Sequence, residues 1–263
     1  MPITSGDGYL ASVKQRPVFT KKASRTATAA TETSIFDLAG NPGAGTLSAG
    51  NTANGIVPTD ALAGYPIIEA FGGTNEGYIS RIEFGNSVIC NLRLYDRVFS
   101  AGAYAFNADV TLASQPSYAA RIPHLNYNGL ELWAETVTAF TGNPSFQVNY
   151  LDQGGAAGDT GVIASGAALI LGRCFRLPLA AGDSGIQRID RVRGSVATVG
   201  TFNINVLRPL WQARVPIANF ADIHDFLKTG MVRIYESSAL FLLVQPDSTA
   251  TGLPYLNIEV AVG

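Results

Sequence analysis

Near its C-terminal end the chain alternates with a period of two. Leu256, Ile258, Val260 and Val262 fall on one side, Asn257 and Glu259 on the other. Successive side chains of a strand point to opposite faces, so this pattern predicts a strand with one covered side. Tyr78–Phe84 and Val88–Tyr95 are rich in β-branched and aromatic residues and predict two more strands. Gly85-Asn86-Ser87 between them has the composition of a tight hairpin turn. Leu130–Phe140 predicts a long strand ended by Gly142-Asn-Pro144, after which Phe146, Val148 and Tyr150 alternate on the next. Further strands are predicted at Ala167–Leu171, Ile186–Val199, Thr201–Leu207 and the apolar run Ala239–Val244. One helix is predicted between Asn219 as N-cap and Gly230 as C-terminal glycine, with Phe220, Ile223 and Leu227 at helical spacing. The stretch from Asp37 to Tyr65, with Gly40-Asn-Pro-Gly-Ala-Gly45 and Gly50-Asn-Thr-Ala-Asn-Gly55, reads as loop. Many short strands, dense turn signals and little helix predict an all-β fold. Its expected form is an antiparallel β-sandwich or jelly-roll-like body.

The first 34 residues read differently. Asp7 is placed to cap a short helix presenting Tyr9, Leu10 and Val13. Lys21–Thr33 is small and polar with little to bury, the composition of an extended arm or edge segment. Lys14, Arg16, Lys21, Lys22 and Arg25 stand here against Asp7 and Glu32, a local net charge of +3, while the remainder carries −5. A basic arm on an acidic body suits docking onto an acidic surface. The expected organisation is a basic N-terminal arm over 1–34 and a sandwich body over 35–263, with those five basic residues as candidate partner contacts.

Composition sharpens this picture. Charged residues make up 14% of the 263, against about 25% in an ordinary soluble domain. A lightly charged skin is cheaper to desolvate against a neighbour, so association with other chains is expected. Cys90 and Cys174 lie far apart without a CxxC, and both are read as buried free thiols. The segment from Met1 lacks an apolar signal core, and Ala239–Val244 is too short for a bilayer, which needs about 20 residues. Synthesis and folding in a cytoplasm, without a membrane anchor, are expected.

Candidate chemistry is sparse. Gly182-Asp-Ser-Gly185 matches the nucleophile segment of chymotrypsin-like proteases, but Ile186 replaces the next glycine and His124 lacks the sequence surroundings of a protease base. Asp-Ser-Gly is also a common turn, the favoured reading. His224 in Asp222-Ile-His-Asp225 is read as part of an exposed helix face. Gly40–Gly45 lacks the Lys-Ser/Thr ending of a phosphate loop, and Asp152–Asp159 lacks the ligand positions of an EF-hand. No residue is therefore assigned as catalytic, cofactor-binding or metal-ligating, and no cofactor is expected. The basic segment offers Phe19 as its one good stacking aromatic and no reading helix, so direct contact with nucleic acid is not expected.

Several stretches, in order along the chain, resemble a family of tailed-phage virion proteins. They are Lys22-Ala-Ser-Arg-Thr-Ala27, Ser34-Ile-Phe36, Gly40–Gly45, Leu94-Tyr-Asp-Arg97, Leu132-Trp-Ala-Glu135, Val148-Asn-Tyr150, Ala181–Gly185 and Leu207-Arg-Pro209. The resemblance implies a particle component similar to head decoration or cement proteins, which trimerise through jelly-roll-like domains. It carries over no catalytic residue. The expected partners are the major capsid protein and further copies of the chain, as a homotrimer, and the expected location is the capsid surface. A tail or receptor-binding module is the alternative, with Tyr127 or Trp133 stacking on glycans. A hydrolase using Ser184 is a third.

Overall fold

The computed structural model describes residues 3–140, 142–165, 170–195 and 199–263. Every strand pairing within them is antiparallel. Three sheets form, and the all-β sandwich expected from the sequence is what folds.

The central sheet is built on two long neighbours, Cys90–Ala105 and Thr201–Val215. Glu131–Thr138 and then Cys174–Arg176 extend it on one side, Leu240–Pro246 and Thr33–Ser34 on the other. Leu242 and Val244 enter one apolar cluster while Phe241 and Leu243 enter another. Both faces of this strand are covered, so its sequence is an unbroken apolar run rather than an alternating one.

A second sheet runs from Phe220–His224 through Gly77–Asn86 and Tyr255–Val262 to Val18–Lys21 and Gly40–Asn41. It packs on the central sheet through Ile79, Ile82, Phe84, Leu256 and Ile258 against Leu92, Leu94 and Leu242. The third sheet, centred on Ser145–Asp152 and Ile186–Gly194, buries Phe146, Val148, Tyr150, Ile189 and Val192 against Phe99, Tyr104, Phe202 and Val206.

Several expectations need correction. Gly85-Asn86-Ser87 makes no hairpin: Gly77–Asn86 and Cys90–Ala105 belong to different sheets, so the chain turns a corner of the sandwich there. Asn86 Nδ2 fixes that corner by donating to Thr251 O at 2.9 Å. Thr201–Val215 continues past Leu207 through Pro209, which sits at a bulge where no ladder donor is needed. Strand Ile186–Gly194 ends before Val199, and residues 196–198, like most of the strand expected at Ala167–Leu171, lie outside the described residues.

The N-terminal segment is no free arm. Val13–Gln15 and Val18–Lys21 both pair with Tyr255–Val262, and Thr33–Ser34 pairs with Leu240–Pro246. A small-residue polar segment contributes to the fold chiefly through its backbone, which periodicity does not reveal. The short helix Gly6–Ala11 is capped by Ser5, whose Oγ accepts from Gly8 N at 3.0 Å, rather than by Asp7. Its Tyr9 covers Glu259, so the second side of the C-terminal strand is covered here as well.

Buried charge lies beneath the central sheet. Asp96 accepts from Arg208 Nη2 at 3.1 Å, Ser238 Oγ at 2.9 Å and Ala239 N at 3.0 Å, and pairs with Arg121 at 3.1 Å. Next to it Arg97 pairs with Glu135 and stacks 3.6 Å from the Phe241 ring centroid. Leu94-Tyr-Asp-Arg97 is thus a core-building motif.

Candidate interaction surface

Of the five basic contact candidates, two are withdrawn into the fold. Lys21 is 3% exposed and its Nζ donates to Leu38 O and Pro42 O, both at 2.9 Å, clamping the Gly40–Gly45 loop. Arg25 is buried, pairs with Asp37 and donates to Leu171 O at 3.0 Å. A cation among apolar neighbours needs such partners, and neither side chain is left for a second molecule. Lys14 folds back 4.2 Å from the Tyr9 ring centroid and donates to Ser12 O at 3.1 Å. Arg16 and Lys22 remain exposed.

Glu259 organises the covering helix. It accepts from Tyr9 Oη at 2.8 Å and Ser80 Oγ at 3.0 Å, with Arg16 3.3 Å away. Burial pushes its carboxyl up, but those hydrogen bonds and the charges of Arg16 and Lys14 outweigh it and hold the group below the usual range. Tyr9 in turn meets Phe226 at 5.8 Å between ring centroids, bringing the two short helices together.

That contact marks an apolar rim. Phe220, Ile223, Phe226 and Leu227 are 56%, 45%, 46% and 77% exposed, with Leu10 and Val13 exposed on the N-terminal segment. The sequence placed the first, second and fourth on a helix face, but Phe220–His224 is an edge strand and the helix is only Phe226–Thr229. The cap is Asp225, whose carboxylate accepts from Leu227 N at 3.1 Å and Lys228 N at 3.2 Å. Gly230 ends the helix with φ 66°, as its place in the sequence predicts. Asn219 has φ 61°, outside the extended conformation of an N-cap residue. Gly85 lets the edge strand approach: a Cβ there would stand 2.9 Å from Phe220 O.

His224 is therefore on a strand, not on a helix face. Its Nδ1 accepts from Trp211 Nε1 at 2.9 Å, and its ring meets Phe84 edge-on at 4.9 Å. Burial and nearby Lys228 lower its pKa below the ordinary value.

The remaining candidates take structural places. Ser184 Oγ bonds to Asn128 Oδ1 and its carbonyl accepts from Gly129 N at 2.7 Å, in the turn that Gly182 permits with φ 96°. His124 lies in the separate one-turn segment Pro123–Leu125. Asp152 Oδ1 accepts from Gly154 N and Ala156 N, both at 2.8 Å, as a hairpin tip requires. Trp133 is 1% exposed and its Nε1 donates to Glu131, while Tyr127 packs half-buried on the core. Trp133 is thus withdrawn as a glycan platform. Both cysteines are buried and free. Among the described residues no group of three or more His, Cys, Asp or Glu is placed to hold a metal, and no helix is long and apolar enough to cross a membrane.

No protein-family model and no curated protein matches the chain. Among solved structures, similarity extends to infectious bursal disease virus Gx strain, 11% identical over 95% of this chain and 80% of that one, with a TM-score of 0.17. The T=1 particles derived from infectious bursal virus align at 9% over 95% and 77%, TM-score 0.18. Sulfolobus Turreted Icosahedral Virus aligns at 9% over 94% and 90%, TM-score 0.15. Superpositions this loose carry no argument about fold or function.

Proposed function

We propose that the chain is a structural subunit of a tailed-phage particle, of the decoration or cement kind, which binds the major capsid shell and stabilises it. It works by contact, not catalysis. The observation that carries this reading is the apolar rim of Phe220, Ile223, Phe226 and Leu227 on a body with 14% charged residues. Large exposed apolar patches mark interaction sites, and a lightly charged surround keeps desolvation cheap. The ordered resemblance to virion proteins supplies the particle. Several copies in one oligomer, expected as a trimer, would multiply weak contacts into high occupancy.

Co-sedimentation of the purified chain with shells of the particle's major capsid protein tests this. Saturable binding that raises the shells' melting temperature is expected, weakened severalfold by joint Arg16→Glu and Lys22→Glu substitution. Absence of binding to shells, at concentrations where the chain is folded, overturns the reading.

A further inference from the structure

The strand Phe220–His224 pairs on one side with Ile82–Asn86 and ends its sheet, so among the described residues its other side is an open edge. In an antiparallel ladder alternate residues turn their N–H and C=O to opposite sides. The amide of Ile223 shows which residues face outward here: it donates to Asp222 Oδ1 at 2.8 Å instead of to the neighbouring strand. Ile223, and Ala221 with it, therefore present their backbone groups to the open edge. Edges this apolar are usually blunted by charge, and Asp222 does so with the one carboxylate on the strand.

We infer that this edge is a self-association surface, on which a second copy adds its own Phe220–His224 strand antiparallel about a two-fold axis at Ile223. Continuing a sheet across such an axis forces one residue to face its own copy, and the centrings on Ala221, Asp222 and Ile223 are those that pair at least three residues of the strand. Centring on Asp222 sets two carboxylates opposite each other in the closer, non-hydrogen-bonded kind of pair, where like charges repel. Centring on Ala221 sets Phe220 against the carboxylate of Asp222 and wastes both. Centring on Ile223 lets the two Ile223 residues exchange N–H and C=O bonds and stack their exposed side chains. It also sets Asp222 opposite His224 of the second copy. Because His224 Nδ1 already accepts from Trp211, the ring's other nitrogen is the donor left for that carboxylate. Asp222 then exchanges the Ile223 amide of its own chain for the imidazole of the other molecule. In this register Asp222–His224 is the paired segment; beyond it Ala221 and Phe220 face Asp225 and Phe226 of the second copy, where its helix begins, so the contact continues as one exposed phenylalanine ring against another. The pairing takes Phe220 and Ile223 from the apolar rim, so a shell contact is left to Leu227 and to the exposed Arg16 and Lys22.

The test uses the full chain. Ile223→Cys, treated with a short bismaleimide, should cross-link to itself in high yield, whereas Ala221→Cys, displaced from the axis along both strands, should not. Cys90 and Cys174 are buried, so the unsubstituted chain is the blank. By analytical ultracentrifugation Ile223→Lys should weaken the two-fold association at least tenfold and halve the mass of the assembled species. Circular dichroism checks that this half-exposed position is tolerated, and the Cys pair decides the matter if it is not. Equal cross-linking at 221 and 223, or a chain monomeric at every concentration, overturns the inference.

Discussion

Arg97 Nη2 lies 3.0 Å from Glu135 Oε2, and neither side chain reaches water. Asn203 Nδ2 and Asn205 Nδ2 each approach the same oxygen at 3.3 Å, while Glu135 Oε1 has no hydrogen-bond partner among the described residues. The pair is thus a buried charge couple with incomplete compensation.

Removing one member strands the other. Arg97→Met is expected to cost about 3–5 kcal/mol, the usual penalty for an uncompensated buried charge. Arg97→Met with Glu135→Leu should cost less than Arg97→Met alone, because two well-packed apolar groups owe no desolvation. A double-mutant cycle by urea denaturation measures this. A double variant as unstable as the sum of the singles would show that packing on Phe241 outweighs the charge.

The N-terminal segment gives a second contrast. Deleting residues 1–12 removes the Tyr9–Glu259 hydrogen bond and is expected to cost about 1–3 kcal/mol, because a buried carboxylate loses a donor. Deleting 1–21 also strips both strands from Tyr255–Val262 and exposes Leu256, Ile258 and Val260. That variant should fail to give soluble folded protein. Thermal unfolding of the two deletions, side by side, tells a structural segment from a detachable arm.

The strands were legible where local composition decides structure: Tyr78–Phe84, Leu130–Phe140, Phe146–Tyr150 and Leu256–Val262 each fall on observed strands. What was not legible depends on partners distant in sequence. Lys21 and Arg25 read as surface cations because their acceptors, Leu38 O, Pro42 O and Leu171 O, are carbonyls that no side-chain pattern announces. The spacing of Phe220, Ile223 and Leu227 fits a helix, and only pairing with Ile82–Asn86 makes most of that segment a strand. Asp225 beside Leu227 and Lys228 was the available signal, a capping residue six positions beyond the Asn219 from which the helix was expected to start.

Cys90 and Cys174 should be inert in the folded chain. Burial pushes the Cys90 thiol up to about 11 and Cys174 well above its ordinary value, so neither holds appreciable thiolate at pH 8. Native protein is expected to leave an aromatic disulfide reagent unreacted, with two thiols appearing on denaturation. Fast reaction of one thiol in buffer would reveal local opening around that cysteine.

Lys21 makes alkaline stability informative. Burial lowers its pKa to about 8, a shift that Asp37 only partly opposes. Between that value and the ordinary 10.5 the unfolded chain binds a proton that the folded chain has released, so stability rises with pH across this window. Tyrosines act in the opposite sense. Burial pushes Tyr65, Tyr78 and Tyr150 up to about 12, so above pH 10 the folded chain keeps protons the unfolded chain has lost, and stability falls. Urea denaturation from pH 7 to 11 should show stability climbing from pH 8 and turning over near pH 10. Lys21→Met should flatten the climb and leave the fall. A Lys21→Met curve that rises as steeply as the unsubstituted one would mean that the amine is hydrated in the folded state.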